Sequence, residues 1–393
     1  MTIDDVEVRN LVPRVIGILG RRGVDFATAE DAVQEALVSA LDAWEREEPA
    51  DPTAWMVTVA WRAYLDLARS DASRRQREVR YDSAPPLGEV PSTDDTLRLY
   101  FLCAHPDLTP SSAVALTLRA VGGLTTRQIA QAYLVPEATM AQRISRAKRT
   151  VSRAGLGAVG DVTTVMRVLY LVFNEGYSGD VDLAAESIRL TRQLASLVDE
   201  PEADGLLALM LLHHARRSSR TGGDGRVVVL ADQDRTLWDT DLIAEGIQIL
   251  GRALARERLG PYQAQAAIAA LHADAQRFED TDWVQIVEWY DELLKLADTP
   301  IVRLNRAVAV GEADGPLAGL AALADVADDV PRREAVAAHL HEKNGDLDLA
   351  ASLYATAARN APNLAERDHL VRQAARVNQL LRSTGGDGDG LQR

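Results

Sequence analysis

The stretch Gly123-Leu-Thr-Thr-Arg-Gln-Ile-Ala-Gln-Ala-Tyr-Leu-Val-Pro-Glu-Ala-Thr-Met-Ala-Gln-Arg-Ile-Ser-Arg-Ala-Lys-Arg149 decides the fold of this chain. It reads as two helices separated at Leu134-Val135-Pro136, the layout of a helix-turn-helix. Thr125 followed by Gln128 supplies a capping box that starts the first helix. Pro136 suits the first turn of the second, where an amide N–H has no partner, and Glu137 complements the positive end of the helix dipole. On that second helix Met140, Ile144, Ala147 and Val151 fall at i, i+4, i+7 and i+11 and form a core-facing stripe. Gln142, Arg143, Arg146 and Arg149, with Lys148 beside them, fall largely on the other side. Such a helix suits a DNA major groove, where Arg bonds guanine edges bidentately and any of the cations holds phosphate. The same pattern also fits a solvated basic helix that closes a small bundle.

Composition narrows the choice. A chain of 393 residues has room for two or three domains and a sizeable core, and its scarce aromatics and abundant Ala and Leu favour helices throughout. The single Cys103 excludes a disulfide framework and fits a reducing compartment. The opening Met1-Thr-Ile-Asp-Asp-Val-Glu is acidic and has no apolar segment, and no apolar run approaches a membrane span. These features predict a cytoplasmic protein. A net charge of −15 is wrong for a free DNA-binding protein, because nonspecific affinity comes from neutralising phosphates. The charge is unevenly spread, however. Residues 1–155 hold 19 Lys+Arg against 21 Asp+Glu, and the remainder holds 24 against 37. Residues 119–153 carry seven basic groups and one acidic, while Arg69, Arg74, Arg75, Arg77 and Arg80 form a second basic cluster. Two separate basic patches on a nearly neutral half imply DNA contact that draws most of its affinity from a partner.

The joints are legible. Residues 1–80 read as several helices. In Ala29-Glu-Asp-Ala-Val-Gln-Glu-Ala-Leu-Val-Ser-Ala-Leu-Asp-Ala-Trp44, an apolar face of Val33, Leu37, Ala40, Leu41 and Trp44 leaves Asp31, Gln34, Glu35 and Asp42 towards solvent or a partner. A proline-bounded loop, Glu47–Pro52, leads to a helix from Trp55 to Arg69. Residues 81–95, rich in Pro, Ser, Gly and Asp, read as an extended linker. Helices resume over 96–153, and a small-residue joint precedes a long helical part over 161–382.

Three coupled motifs carry a resemblance: Ala29-Glu-Asp-Ala-Val-Gln-Glu-Ala-Leu37, then Trp55-x-x-x-Val-Ala60 with Asp66 and Arg69, then a linker and a basic helix-turn-helix. Together they resemble RNA polymerase sigma factors of the extracytoplasmic-function type. Leu99-Tyr-Phe-Leu-Cys-Ala-His-Pro106 and the long helical part further resemble one subgroup, which carries a TPR-like C-terminal extension. The resemblance implies a first domain that binds the clamp of core RNA polymerase and the promoter −10 element, and a second that reads the −35 element. By position, Asp31, Gln34 and Glu35 are similar to the clamp-binding face. Trp55, Arg62 and Arg69 are similar to the −10 contacts, with rings and Arg suited to unstacked bases, although Trp55 at a helix start fits core packing as well. Arg127, Gln142, Arg143, Ser145, Arg146, Lys148 and Arg149 are similar to the −35 contacts. Gln142 and Arg146 are expected on bases, with Arg127, Arg143, Lys148 and Arg149 on phosphates. Two departures stand out: Trp61 replaces the usual Arg, and Tyr133-Leu134-Val135 replaces the Gly-containing turn, its hydrophobes expected to pack beneath the recognition helix.

Within the C-terminal part, Glu334–Pro362 fits the tetratricopeptide pattern through Gly345, Asp346, Ala350, Tyr354, Ala357 and Pro362, and Pro300–Gly315 reads as a weaker neighbour. Stacked helix pairs of this kind present a surface for peptides or protein segments. Thr221-Gly-Gly-Asp-Gly-Arg-Val-Val-Val-Leu230 reads as an exposed turn with a short strand, and 383–393 as a disordered tail. His213-His214 and His339-Leu-His341 lack metal-ligand spacing, and no P-loop, dinucleotide fingerprint or nucleophile elbow is present. Phe173–Tyr177 and Asp280–Trp283 read as helix ends and packing in preference to a pocket.

The expectation is therefore an all-α chain: two small helical sigma domains, the second with a helix-turn-helix, and a TPR-like helical-repeat domain that modulates them. Core RNA polymerase and promoter DNA are the expected partners, with room for an intramolecular contact between the extension and the sigma domains. No enzymatic activity, catalytic residue, metal, cofactor or membrane association is expected. A freestanding helix-turn-helix regulator with a ligand- or peptide-sensing array, and a helical-repeat scaffold, remain the alternatives.

Overall fold

The computed structural model describes residues 5–44, 49–75, 96–154, 161–175, 177–178, 181–222, 228–361 and 364–386. It is all-α, apart from a two-residue antiparallel strand pair among the described residues. The predicted linker 81–95 lies outside them. The chain divides into two compact units at Asp199/Glu200.

The first unit begins with α1 (Asp5–Asn10), α2 (Val12–Arg21), α3 (Phe26–Trp44) and α4 (Pro52–Arg75). Asp51 starts α4 by accepting from the Ala54 N–H at 2.9 Å. Val12, Ile16, Leu19, Val33, Leu37, Met56 and Ala60 form the core of this module. Trp44 and Trp55 meet edge to face at 5.2 Å, closing the α3–α4 hairpin.

The next four helices are α5 (Thr96–Cys103), α6 (Pro110–Ala120), α7 (Thr126–Ala132) and α8 (Glu137–Ala154). The predicted capping box forms in full: the Thr125 hydroxyl accepts from the Gln128 N–H, and the Gln128 side chain accepts from the Thr125 N–H. Met140, Ile144, Ala147 and Val151 are all buried, as the periodicity required. Burial of each of the three larger side chains contributes on the order of 1.5–3 kcal/mol.

Two further helices, α9 (Val162–Glu175) and α10 (Leu183–Leu197), joined through β1 (Tyr177–Ser178) and β2 (Val181–Asp182), belong to this unit. The sequence assigned them to the extension, yet α9 packs on α5 and α6. The Tyr100 hydroxyl donates to Leu190 O at 2.8 Å. Glu186 of α10, 6% exposed, pairs with Arg9 of α1 and Arg189. The start of the extension is thus fastened both to the first helix and to the helix-turn-helix module.

The second unit holds α11 (Pro201–Ala215), α12 (Thr240–Leu254), α13 (Pro261–Asp274), α14 (Trp283–Leu296), α15 (Pro300–Ala313), α16 (Pro316–Leu323), α17 (Arg333–Asn344), α18 (Leu347–Asn360) and α19 (Leu364–Gly386). Each helix packs on its neighbours in the chain. Proline in the first turn starts α11, α13, α15 and α16, where a missing N–H has no cost. Gly311 and Gly319 let α15 and α16 cross closely, since a Cβ on Gly319 would lie 2.7 Å from the Gly311 Cα. Ala338, Ala350, Tyr354 and Ala357 are buried between α17, α18 and α19, and Gly345 ends α17 at φ 86°.

One expectation lies mostly outside the described residues and one is corrected. The turn and strand expected after Thr221 fall largely on residues 223–227, which lie outside them, and Leu230–Asp232 form a 3-10 segment whose Asp232 N–H bonds Val229 O. Residues 383–386, expected in a disordered tail, belong to α19, which runs to Gly386 with the Ser383 hydroxyl bonded back to Leu380 O; 387–393 lie outside the described residues.

Candidate polymerase and nucleic-acid interface

The exposed side of α8 is a row of polar and basic groups. Gln142, Ser145, Arg146 and Arg149 are exposed, with Arg127 of α7 exposed beside them. Among the described residues none of Arg127, Arg146 and Arg149 is ion-paired. Arg143 is half-buried. A helix that seats one face on Met140, Ile144 and Val151 holds this row rigidly, the condition for base-edge recognition.

The turn before α8 differs from expectation. Leu134 adopts φ 50° and is 85% exposed, so it packs beneath nothing. A left-handed non-glycine residue costs about 1–2 kcal/mol, the penalty a glycine would avoid. Tyr133 does pack: burial pushes its phenol up, and the Glu175 carboxylate adds to the shift.

Lys148 is the one member of the row turned inward. It is 7% exposed and sits against α3, where its Nζ pairs with Glu30 and, at 2.6 Å, with Asp31. Arg119 of α6 reaches the same Glu30 at 2.8 Å. The Gln34 Nε2 donates to Arg119 O at 3.0 Å. Glu30 is fully buried, so one carboxylate from α3 is gripped by two cations from the helix-turn-helix module. A cleft of about 310 Å³ runs beside it, bordered by Asp31, Ser145, Lys148 and Arg149.

Two residues predicted to meet other molecules, Lys148 and Gln34, are therefore engaged with each other's modules in this form. Asp31, Glu35, Val38 and Asp42 form the exposed stripe of α3, at i, i+4, i+7 and i+11. Val38 is 53% exposed, which leaves an apolar centre on an acidic face. Glu30 and Arg119 were absent from the sequence-predicted set. Glu30 had a readable signal, because it falls three and seven residues before Val33 and Leu37, on the core face of α3.

On α4, Arg62 is exposed and unpaired among the described residues, and Arg69 is exposed and paired with Asp66 at 3.2 Å. Trp55 is half-buried against Trp44, the packing role rather than an open ring. Trp61, in place of the usual Arg, lies under the guanidinium of Arg22, the residue that caps the C-terminus of α2, at 5.5 Å, which restores a cation at that surface. Of the basic cluster, Arg77 and Arg80 lie outside the described residues.

The two histidines of α17 face separate acids. His339 faces Glu312 and His341 faces Asp346, each at about 3 Å. Among the described residues no group of three His, Cys, Asp or Glu could hold a metal ion, and no helix is long and apolar enough to cross a membrane. Asp282 caps α14 and Trp283 packs on His272 and Phe278, so this segment is a helix end, as read from the sequence.

Comparison with known proteins agrees with this geometry. Residues 8–75 match sigma-70 region 2, residues 98–151 match sigma-70 region 4, and residues 161–254 match a family of unknown function, DUF6596. An uncharacterized protein of Rhizobium meliloti is 42% identical over 348 residues, 81% of each chain. The RNA polymerase sigma factor CarQ of Myxococcus xanthus is 36% identical over 124 residues, 30% of this chain and 68% of its own. The probable ECF RNA polymerase sigma factor SigI of Mycobacterium tuberculosis is 30% identical over 173 residues, 41% of this chain and 59% of its own. No solved structure matches the chain. The region 2 module α1–α4, the region 4 module α5–α8 and the match over two thirds of a sigma factor's own sequence agree: the chain belongs to the RNA polymerase sigma factors of the sigma-70 family, extracytoplasmic-function type.

Proposed function

We propose that the chain is a promoter-specific, non-enzymatic initiation factor that binds core RNA polymerase and recognises −35 and −10 DNA. The observation that carries this is the row Arg127, Gln142, Ser145, Arg146 and Arg149, exposed on a rigidly seated helix with none of its arginines ion-paired among the described residues. It is the −35 reader. Arg62 and Arg69 on α4 serve the −10 strand, and the α3 stripe of Asp31, Glu35 and Val38 serves the polymerase clamp. A freestanding regulator would use the α8 row but would have no use for that stripe.

The Glu30–Lys148–Asp31 contact gives the free chain a closed form. In it the region 4 module covers part of the α3 surface that polymerase needs, and Lys148 is withdrawn from DNA. Opening the contact exposes both at once. The extension modulates this step: α10 fastens α1 through Arg9–Glu186 and α5 through Tyr100–Leu190, so it holds the two sigma modules together. The TPR-like second unit carries the input that loosens or tightens this hold.

The test is selection of DNA by reconstituted holoenzyme. Purified core polymerase and the chain are mixed with fragmented genomic DNA, and retained fragments are sequenced. A shared pair of elements at −35 and −10 spacing is expected. Failure of the chain to bind core polymerase, or retention no different from core alone, would overturn the proposal.

A further inference from the structure

Two arginines of the second unit share one indole, and a third, Arg220, is near enough for its charge to act on Arg216; none of the three is ion-paired among the described residues. Arg216 follows the C-terminus of α11, Arg220 lies four residues on, and Arg235 sits in a 3-10 turn. The Arg216 guanidinium lies 5.6 Å from the Trp238 ring centroid and that of Arg235 lies 4.6 Å from it, so two cations share one buried indole. The Trp238 Nε1 donates to the Ser219 hydroxyl at 2.8 Å, which fixes the ring. Arg216 Nη2 meets His213 Nδ1 at 3.1 Å. Arg235 Nη1 donates to Ala275 O at 2.7 Å and to His272 O, which leaves its Nη2 buried and without a hydrogen-bond partner. The Nδ1 of His272 is likewise buried and without a partner. Among the described residues no carboxylate is ion-paired with Arg216, Arg220 or Arg235. Asp280, one of the two acids facing Arg235, is taken by Arg277 at 2.8 Å, and the other, Glu279, makes no bond to it.

The electrostatics point one way. Burial, then the charges of Arg220 and Arg235, push Arg216 down to about 10. Burial, with the neighbouring arginines, pushes His213 down to about 3 and His272 to about 4, so both imidazoles are neutral at pH 7 and the charge belongs to the arginines. The C-terminal dipole of α11 offsets only a small part of this. An indole face attracts cations but does not neutralise them. A desolvated guanidinium without an anion is costly, and its planar fork matches a planar or tetrahedral oxyanion.

We propose that Arg216 and Arg235, which share the Trp238 ring, form with the neighbouring Arg220 a binding site for a small oxyanion, a carboxylate or phosphate group. The free Nη2 of Arg235 and the outer fork of Arg216 take its oxygens, and the exposed Arg220 closes over it. Occupancy would give the second unit a chemical input, whatever the sigma modules do with it.

The experiment uses the full chain and reads anion binding, so it is independent of transcription. Thermal unfolding and Trp fluorescence are followed while inorganic phosphate or citrate is titrated, with sodium chloride at matched ionic strength as the control. A saturable rise in Tm with phosphate, citrate or both is expected, and the responding arm identifies the oxyanion. Arg220→Gln, at an exposed position with no ion pair among the described residues, is expected to weaken the apparent affinity at least about tenfold, the loss of one charge-assisted bond. Without anion, the same variant should be no less stable than the wild type, because a like charge has gone. Arg216→Gln should abolish the response. A response no greater than chloride, or one unchanged in Arg220→Gln, would overturn the site.

Discussion

Replacing Glu30 by Gln tests the closed form at its centre. Glu30 is fully buried and holds Arg119 and Lys148, both cations of the helix-turn-helix module, so its charge acts across the contact between modules rather than within one. Removing one partner of a buried ion pair costs about 3–5 kcal/mol. Gln keeps the shape and one acceptor oxygen, and Lys148 retains the half-exposed Asp31, a contact worth at most about 1 kcal/mol. A loss of about 2–3 kcal/mol therefore falls on closure, raising the open population by about 30- to 140-fold. The chain offers a reporter, since it has only three lysines: Lys148, Lys295 and Lys343. The Lys148 side chain is 9% exposed and that of Lys295 is 68% exposed. Acylation by a lysine-specific reagent, followed peptide by peptide in a mass spectrometer, should label Lys148 far more slowly than Lys295 in the wild type. In Glu30→Gln the Lys148 rate should climb by that factor, with Lys295 as its ceiling, while helix content by circular dichroism and the Lys295 rate stay unchanged. Equal rates for the two lysines in the wild type, or an unmoved Lys148 rate in a folded variant, would refute the closed contact.

Three other changes have definite signs. Leu134→Gly should raise stability by about 0.5–1 kcal/mol in chemical denaturation, because relief of about 1–2 kcal/mol of left-handed strain exceeds the added chain entropy; a loss of stability would contradict the φ of 50°. Arg146→Ala should weaken holoenzyme binding by about 1–3 kcal/mol through one −35 position and leave folding stability within about 0.5 kcal/mol, whereas equal weakening on every promoter sequence would make it a phosphate contact. His213 titrates at about 3 in the folded chain against an ordinary 6.5, so the unfolded chain takes the proton first. Its contribution to stability is full above pH 6.5 and is lost as pH falls through that range, and His213→Gln should flatten the decline in Tm between pH 7 and pH 5.

Legibility followed physical range. Local chemistry was readable: the Thr125–Gln128 box, the Met140–Val151 stripe and the α3 core face all rest on spacings within one helix. Relations between helices were not. Lys148 and Asp31 are 117 residues apart, and nothing in either helix announces the pair. The same limit hid the attachment of α9 and α10 to the sigma modules, because Glu186 reads as an ordinary polar helix residue until Arg9 is brought to it. In the turn, the sequence pattern revealed a missing glycine but not the outcome; backbone geometry forced Leu134 into the left-handed region and out into solvent. The arginine cluster around Trp238 was equally silent, since its members come from two short segments, 216–220 and 235–238, that only the fold gathers.

The central claim is that this chain directs core RNA polymerase to start transcription at promoters read by α8. Run-off transcription tests it most directly: core polymerase, the full-length chain and a linear template carrying a promoter chosen by holoenzyme selection. The wild-type chain should yield one discrete transcript whose start lies downstream of the selected element pair, and Gln142→Ala with Arg146→Ala should lose it on that template while Arg22→Gln, outside the α8 row, retains at least part. Absence of any start-specific transcript with the wild-type chain, or equal transcription by the double variant, would contradict it.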